Sequence, residues 1–151
     1  MPIINSSYNP PLFFKHGHAS TIYAGLVRSV NSLKQQRERI HLKDGDFLDL
    51  DWSYSKESKN RLDILLHSQQ AEANHHYIQA SAKLLNSNGF DSCSVNFRGC
   101  SGEPNQLYRS YHSGATEDLE EVMFHILENK KYHSIYIKGF SLGGNLLLKY
   151  L

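Results

Sequence analysis

Five consecutive residues, Gly139-Phe140-Ser141-Leu142-Gly143, place a serine between two glycines. This is the pattern of a hydroxyl nucleophile held on a sharp turn between a strand and a helix. The requirement for glycine is steric: the turn lifts the serine above the end of a sheet, and the two backbone segments approach where a side chain would collide. The flanking residues fit that setting. Ile135-Tyr136-Ile137 reads as a strand within Ser134–Lys138, and Asn145–Leu151 reads as the start of a helix. A serine at that helix N-terminus stands beside unpaired N–H groups and the positive end of the helix dipole, which stabilise a developing oxyanion. The same five residues also fit a glycine-rich turn capped by a serine.

The elements that must position this turn follow from periodicity. Residues 37–54 alternate polar and apolar around Lys43-Asp44-Gly45-Asp46, which predicts a β-hairpin with one wet face. Ile64-Leu65-Leu66 predicts a strand buried on both faces. Tyr77, Ile78, Ala80, Ala82, Leu84 and Leu85 predict a helix that closes before Gly89, and Asp91–Phe97 predicts the next strand. Thr116, read as an N-cap, opens a helix with Glu117 and Asp118 in its first turn and Leu119, Val122, Met123, Ile126 and Leu127 as its apolar stripe. A hairpin followed by alternating strands and helices predicts an α/β fold, with a mostly parallel sheet covered by helices on both faces.

Composition narrows the function. The chain has 151 residues, enough for one domain, and a net charge of +1, which speaks against nucleic acid as a partner. No run approaches the roughly 18 apolar residues of a transmembrane segment. The N-terminus, Met1 to Phe14, lacks the basic and apolar regions of a signal peptide, so the cytoplasm is the expected location. Cys93 and Cys100 lack C-x-x-C spacing and are expected as reduced thiols. His16 and His18, like His75 and His76, have no accompanying ligand spacing, so no metal is expected. Arg98-Gly99-Cys100-Ser101-Gly102 lacks the lysine of a phosphate cradle and reads as a tight turn. Lys34–Arg39 reads as a solvated hairpin edge, and Glu117–Glu121 as an acidic helix start.

Several longer strings resemble one family in order and spacing along nearly the whole chain. They are Gly17-His18 with Thr21-Ile22, Asp44-Gly45-Asp46-Phe47, the run from Asn96 to Asn105, Tyr111-His112-Ser113-Gly114, and the run from Gly139 to Leu146. Together they resemble the YheT-like α/β hydrolases, a group that includes the animal abhydrolase-domain proteins of types 1 and 3. The resemblance implies an α/β-hydrolase fold and a serine hydrolase of carboxylic esters. Its substrates would be short-chain esters or acylglycerol-type lipids, attacked through an acyl-serine on Ser141, with no cofactor. It also implies an oxyanion hole made by the backbone amides of Leu142 and Gln69.

The sequence departs from the family pattern twice. Where the family carries His-Gly-Leu-Glu-Gly, this chain has His67-Ser68-Gln69-Gln70-Ala71, and a positive φ at position 68 or 71 would cost about 1 kcal/mol or more. The family's triad runs Ser, acid, His in chain order, on later strand ends than these 151 residues supply. His67 and His112 are the histidines expected near the site, as supports of loops and not as the base. Residues 1–36 are thus expected to be an N-terminal arm packing on the domain. Residues 37–151 are expected to be the N-terminal part of an α/β-hydrolase domain, truncated after the elbow helix begins. Strand 135–137 is then expected at an open sheet edge, leaving the isolated chain marginal in stability. Two alternatives to an esterase are an inactive remnant and a module that binds a lipid or partner.

Overall fold

A computed structural model describes residues 7–23, 30, 33–68 and 75–151. The chain divides into two compact units, Met1–Asn31 and Ser32–Leu151. In the first, a 3-10 turn at Leu12–Phe14 precedes helix α1 (Gly17–Ile22), and the Phe14 and Tyr23 rings meet at 4.9 Å.

The second unit is built on five strands: β1 (Gln36–His41), β2 (Phe47–Ser53), β3 (Arg61–Leu66), β4 (Phe90–Asn96) and β5 (Ser134–Gly139). Their order is β1-β2-β4-β3-β5. β3 lies between β4 and β5, parallel to both, and its apolar run is buried on each face. Four of the five strands run the same way, as a mostly parallel sheet requires, and the sheet is mixed through β2 alone, which folds back on β1 as a hairpin and pairs antiparallel with β4. Helix α2 (His76–Ser87) covers one face, where Ile78 and Ala82 pack on Leu65. Helices α3 (Thr116–Asn129) and α4 (Leu142–Tyr150) cover the other, with Leu119, Val122, Ile126 and Leu146 on Ile64, Leu66 and Val95.

Three local expectations change. β2 has no wet face, for every residue from Phe47 to Ser53 is buried. Its Asp49 and Asp51 lie opposite Arg39 and Arg37 on β1, and each carboxylate takes two guanidinium hydrogen bonds of 2.7 and 2.8 Å, so β1 covers them. Ala115, not Thr116, caps α3, and Thr116 is its first residue. Helix α4 begins at Leu142, three residues before the apolar periodicity starts, because tertiary packing overrides the low helix propensity of Gly143 and Gly144.

Two contacts hold the end of the sheet at which β3, β4 and β5 all finish. The first is a buried charge cluster. Arg98, just beyond β4, donates twice to Asp118 at 2.8 Å and also meets Asp44 at 2.8 Å and Asp46 at 3.2 Å. Asp46 is fully buried and accepts further hydrogen bonds from Asn105 and from the amides of Phe47, Gln106 and Leu107. The second contact is steric. A β-carbon on Gly143 would lie 2.6 Å from the Leu66 carbonyl oxygen, and one on Gly139 would lie 2.4 Å from the Gly143 carbonyl oxygen.

Removing the guanidinium leaves buried carboxylates unpaired, so Arg98→Met is expected to lower unfolding free energy by about 3–5 kcal/mol in urea titration. Gly143→Ala must push α4 off β3 and is expected to cost about 1–3 kcal/mol in the same measurement. Acid should destabilise the fold. Burial alone would raise the pKa of Asp46 and Asp49, but hydrogen bonds, from Asn105 at Asp46 and from Arg39 at Asp49, outweigh it and hold both below the usual carboxylate value. Such groups contribute stability above their unfolded pKa of about 4 and lose it as pH falls through the folded value. Asp63, whose pKa burial raises against the pull of Lys138, acts in the opposite sense. Asp46→Asn is expected to be less stable at neutral pH and to lose less stability on acidification below about pH 5 than the parent.

Candidate active site

Ser141 occupies the turn between β5 and α4 with φ 52° and ψ −111°. Among the described residues only Asn60 shares a positive φ without being glycine. Such a conformation costs about 1–3 kcal/mol and persists where its surroundings over-determine it. Here the Phe140 amide bonds the Leu66 carbonyl at 3.0 Å, which extends the β5–β3 pairing to the residue before the serine. The Gly143 amide returns to the Phe140 carbonyl at 2.9 Å, and the Asn145 amide takes the Ser141 carbonyl at 3.0 Å as the first helical bond. The turn is therefore fixed on both sides, and Ser141 stands exposed on top of it. Its hydroxyl makes no hydrogen bond among the described residues. Leu142 is the first residue of α4, where helical amides lack an intrahelical acceptor.

His67 follows β3 and is buried. The Phe97 amide donates to its Nε2 at 3.2 Å, so Nε2 is unprotonated and Nδ1 carries the hydrogen that reaches the Ser68 carbonyl at 2.6 Å. Its ring meets those of Phe97 at 4.3 Å and Tyr111 at 6.5 Å. With both nitrogens engaged, His67 ties the end of β3 to the end of β4 and has no lone pair left for a proton from Ser141. His112 is exposed and accepts the Gly114 amide on Nδ1 at 3.1 Å, while Lys149 on α4 donates to the Gly114 carbonyl at 3.1 Å. His112 thus braces a turn that α4 also holds. Gln69, the other expected amide donor, lies outside the described residues.

The remaining candidates take structural places. No three His, Cys, Asp or Glu among the described residues gather as metal ligands. Cys93 and Cys100 are buried free thiols. The Arg98–Gly102 loop is a turn, closed by the Cys100 amide on the Phe97 carbonyl at 2.8 Å with Gly99 at φ +72°. Sequence reasoning missed Tyr77 as more than a core residue of α2. Its Oη accepts the Ser68 amide at 2.9 Å and lies 3.0 Å from the Ser68 hydroxyl. A tyrosine where a helical stripe needs only an apolar residue was the available signal, since a buried phenol seeks a polar partner.

Comparison with known proteins places this geometry. The family model for the alpha/beta hydrolase fold matches residues 64–151, from β3 through the elbow helix. YheT of Escherichia coli (strain K12) is 32% identical over 146 residues, covering 95% of this chain and 43% of that protein. Phospholipase ABHD3 of Homo sapiens is 29% identical over 163 residues, covering 99% of this chain and 38% of its own. The chain thus spans about two fifths of the length of these relatives. Among solved structures, Est1E from Butyrivibrio proteoclasticus superposes with a TM-score of 0.64 at 19% identity, over 74% of this chain and 46% of that one. An alpha-beta serine hydrolase homologue from Coxiella burnetii gives 0.62 at 22% identity, over 76% and 55%. By its matched strands, helices and elbow, this chain belongs to the α/β-hydrolase fold family.

Proposed function

We propose that this chain supplies the nucleophile of a serine hydrolase that cleaves carboxylic esters through an acyl-enzyme on Ser141. The observation that carries the reading is the exposed serine at φ 52°, seated between β5 and the N-terminus of α4 on glycines that tolerate no side chain. In the first step the Ser141 oxygen adds to the ester carbonyl, and the carbonyl electrons move to oxygen. The Leu142 amide faces that oxyanion from the helix N-terminus, joined by the Gln69 amide. Collapse expels the alcohol and leaves the acyl-serine, which water then hydrolyses. The proton from Ser141 needs a base, and His67 is excluded by its two hydrogen bonds. The proposal therefore assigns the base and its acid partner to the part of the fold that the relatives have and these residues do not span.

Substrate class follows from the relatives and from chemistry. One relative bears the name phospholipase and another is named as an esterase, which supports acylglycerol-type lipids or short-chain esters as substrates; attack by a serine hydroxyl draws on no cofactor. No helix among the described residues is long and apolar enough to cross a membrane. The buried free thiols fit the cytoplasm as the proposed location.

The test is labelling of the protein, isolated from its natural source, with a fluorophosphonate probe. A single adduct is expected on Ser141 by peptide mass spectrometry, and Ser141→Ala is expected to abolish it with the urea midpoint unchanged. Saturable binding of an ester lipid without any adduct would instead establish a binding module and overturn the hydrolase reading.

A further inference from the structure

A cavity of about 740 Å³ lies in the second unit, within the size range of small-molecule sites. Lys34 lines it from the segment before β1, Lys56 and Glu57 from the loop between β2 and β3, and Lys83 from α2. That loop leads into β3 and α2 leads into β4, so the cavity stands at the end of the sheet opposite to Ser141. The six residues of β3, about 20 Å of strand, run from one end to the other.

Three lysines from separate segments thus line one space, with Glu57 as the opposing charge. Lys34 and Lys56 make no ion pair among the described residues, whereas Arg37, Arg39, Arg98 and Lys130 are each paired. Carbonyls at the end of α2 would be the nearest alternative partners, and they are already engaged. Ser87 Oγ and Asn88 Nδ2 donate to the Leu84 carbonyl at 2.7 and 2.8 Å, the Asn88 amide to that of Leu85 at 2.9 Å, and Ser55 Oγ to that of Asn86 at 2.6 Å. The cavity therefore gathers positive charge that the fold does not use. Apolar surface lies beside it: Leu33 lines the wall, and the Tyr54 ring, 47% exposed, is stacked on Trp52 at 6.2 Å.

We propose that this cavity binds a small organic phosphate, with the phosphate on the lysines and its carbon part against Leu33 and Tyr54. Three ammonium groups against one carboxylate leave an excess of two positive charges, which a phosphate monoester matches near neutral pH and a single carboxylate does not. Lysine serves such a group as a point charge, and the stacked ring offers a fixed apolar face. The inference goes beyond ester cleavage and does not depend on Ser141.

Titration calorimetry of the protein with phenyl phosphate is expected to show saturable binding at one site. Lys34→Ala combined with Lys56→Ala is expected to weaken it about tenfold or more, and Glu57→Gln to tighten it about threefold. Tyr54→Ala is expected to weaken phenyl phosphate about fivefold and to leave inorganic phosphate unchanged. Lys34, Lys56 and Glu57 are exposed, so the urea midpoint is expected to hold in the variants that change them. Ser141→Ala is expected to bind as the parent does, whatever the parent's reactivity with the fluorophosphonate. No saturation by about 10 mM phenyl phosphate, or equal affinity in the parent and the double lysine variant, would overturn the proposal. Flotation with phosphatidic acid vesicles in the absence of phenyl phosphate binding would assign the lysines to a lipid surface and overturn it too.

Discussion

The separation between α4 and the end of β3 governs everything at this end of the molecule. A β-carbon on Gly143 would lie 2.6 Å from the Leu66 carbonyl oxygen and 2.8 Å from that of His67. No side chain fits there, and no larger spacing would give the same site. The approach brings the first amides of α4 up to the residues that follow β3. It also forces the chain through a turn so tight that Ser141 takes a conformation L-residues avoid. The strain is held because the turn is hydrogen-bonded to β3 before the serine and to its own helix after it. Gly139 is needed for a different reason, since its φ is ordinary and a β-carbon there would strike the Gly143 carbonyl.

Buried polar groups extend this rigidity to the loop after β4. Arg98 joins the turn before β2, through Asp44 and Asp46, to the first turn of α3, through Asp118. Apolar residues of similar volume would often stabilise a core as well as such a cluster does. What the charges add is direction: Nε and Nη2 of Arg98 clasp Asp118, Nη1 faces Asp44 and Asp46, and Asp46 in turn fixes the amides of Gln106 and Leu107. The residue before Arg98 is Phe97, whose amide sets the His67 tautomer. Through that bond the orientation of the β4 loop reaches Ser68, and through Tyr77, whose ring stands edge-on to Phe140, it reaches the elbow.

Much of this was legible in the sequence, and the limits have physical causes. The elbow, the buried β3 run and the hairpin turn were readable because glycine spacing and apolar runs are local signals. The alternation of β2 is a true period of two, yet neither of its faces is wet. Exposure of Asp49 and Asp51 depends on which residues lie across the hairpin, and register put Arg39 and Arg37 there. The start of α4 is not legible from periodicity, because two glycines conceal a helix whose first turn lies against β3. The relation of Tyr77 to Ser68 joins residues nine apart across a loop, and no periodicity reports a hydroxyl's partner.

What the described residues offer to a substrate is an exposed hydroxyl and an amide at a helix N-terminus, set on a support whose other polar groups are already engaged. His67 has a donor and an acceptor both in use, and the His112 acceptor is turned to Gly114. Commitment of this kind has a consequence for the chemistry. A serine hydroxyl without a base is a weak nucleophile near neutral pH, yet a histidine free to serve as that base would be free to rotate and could not brace the loops. The two demands, a fixed frame and a mobile proton, fall on different residues. This part of the fold meets the first, by spending its histidines on position and leaving the Ser141 oxygen unbonded among the described residues.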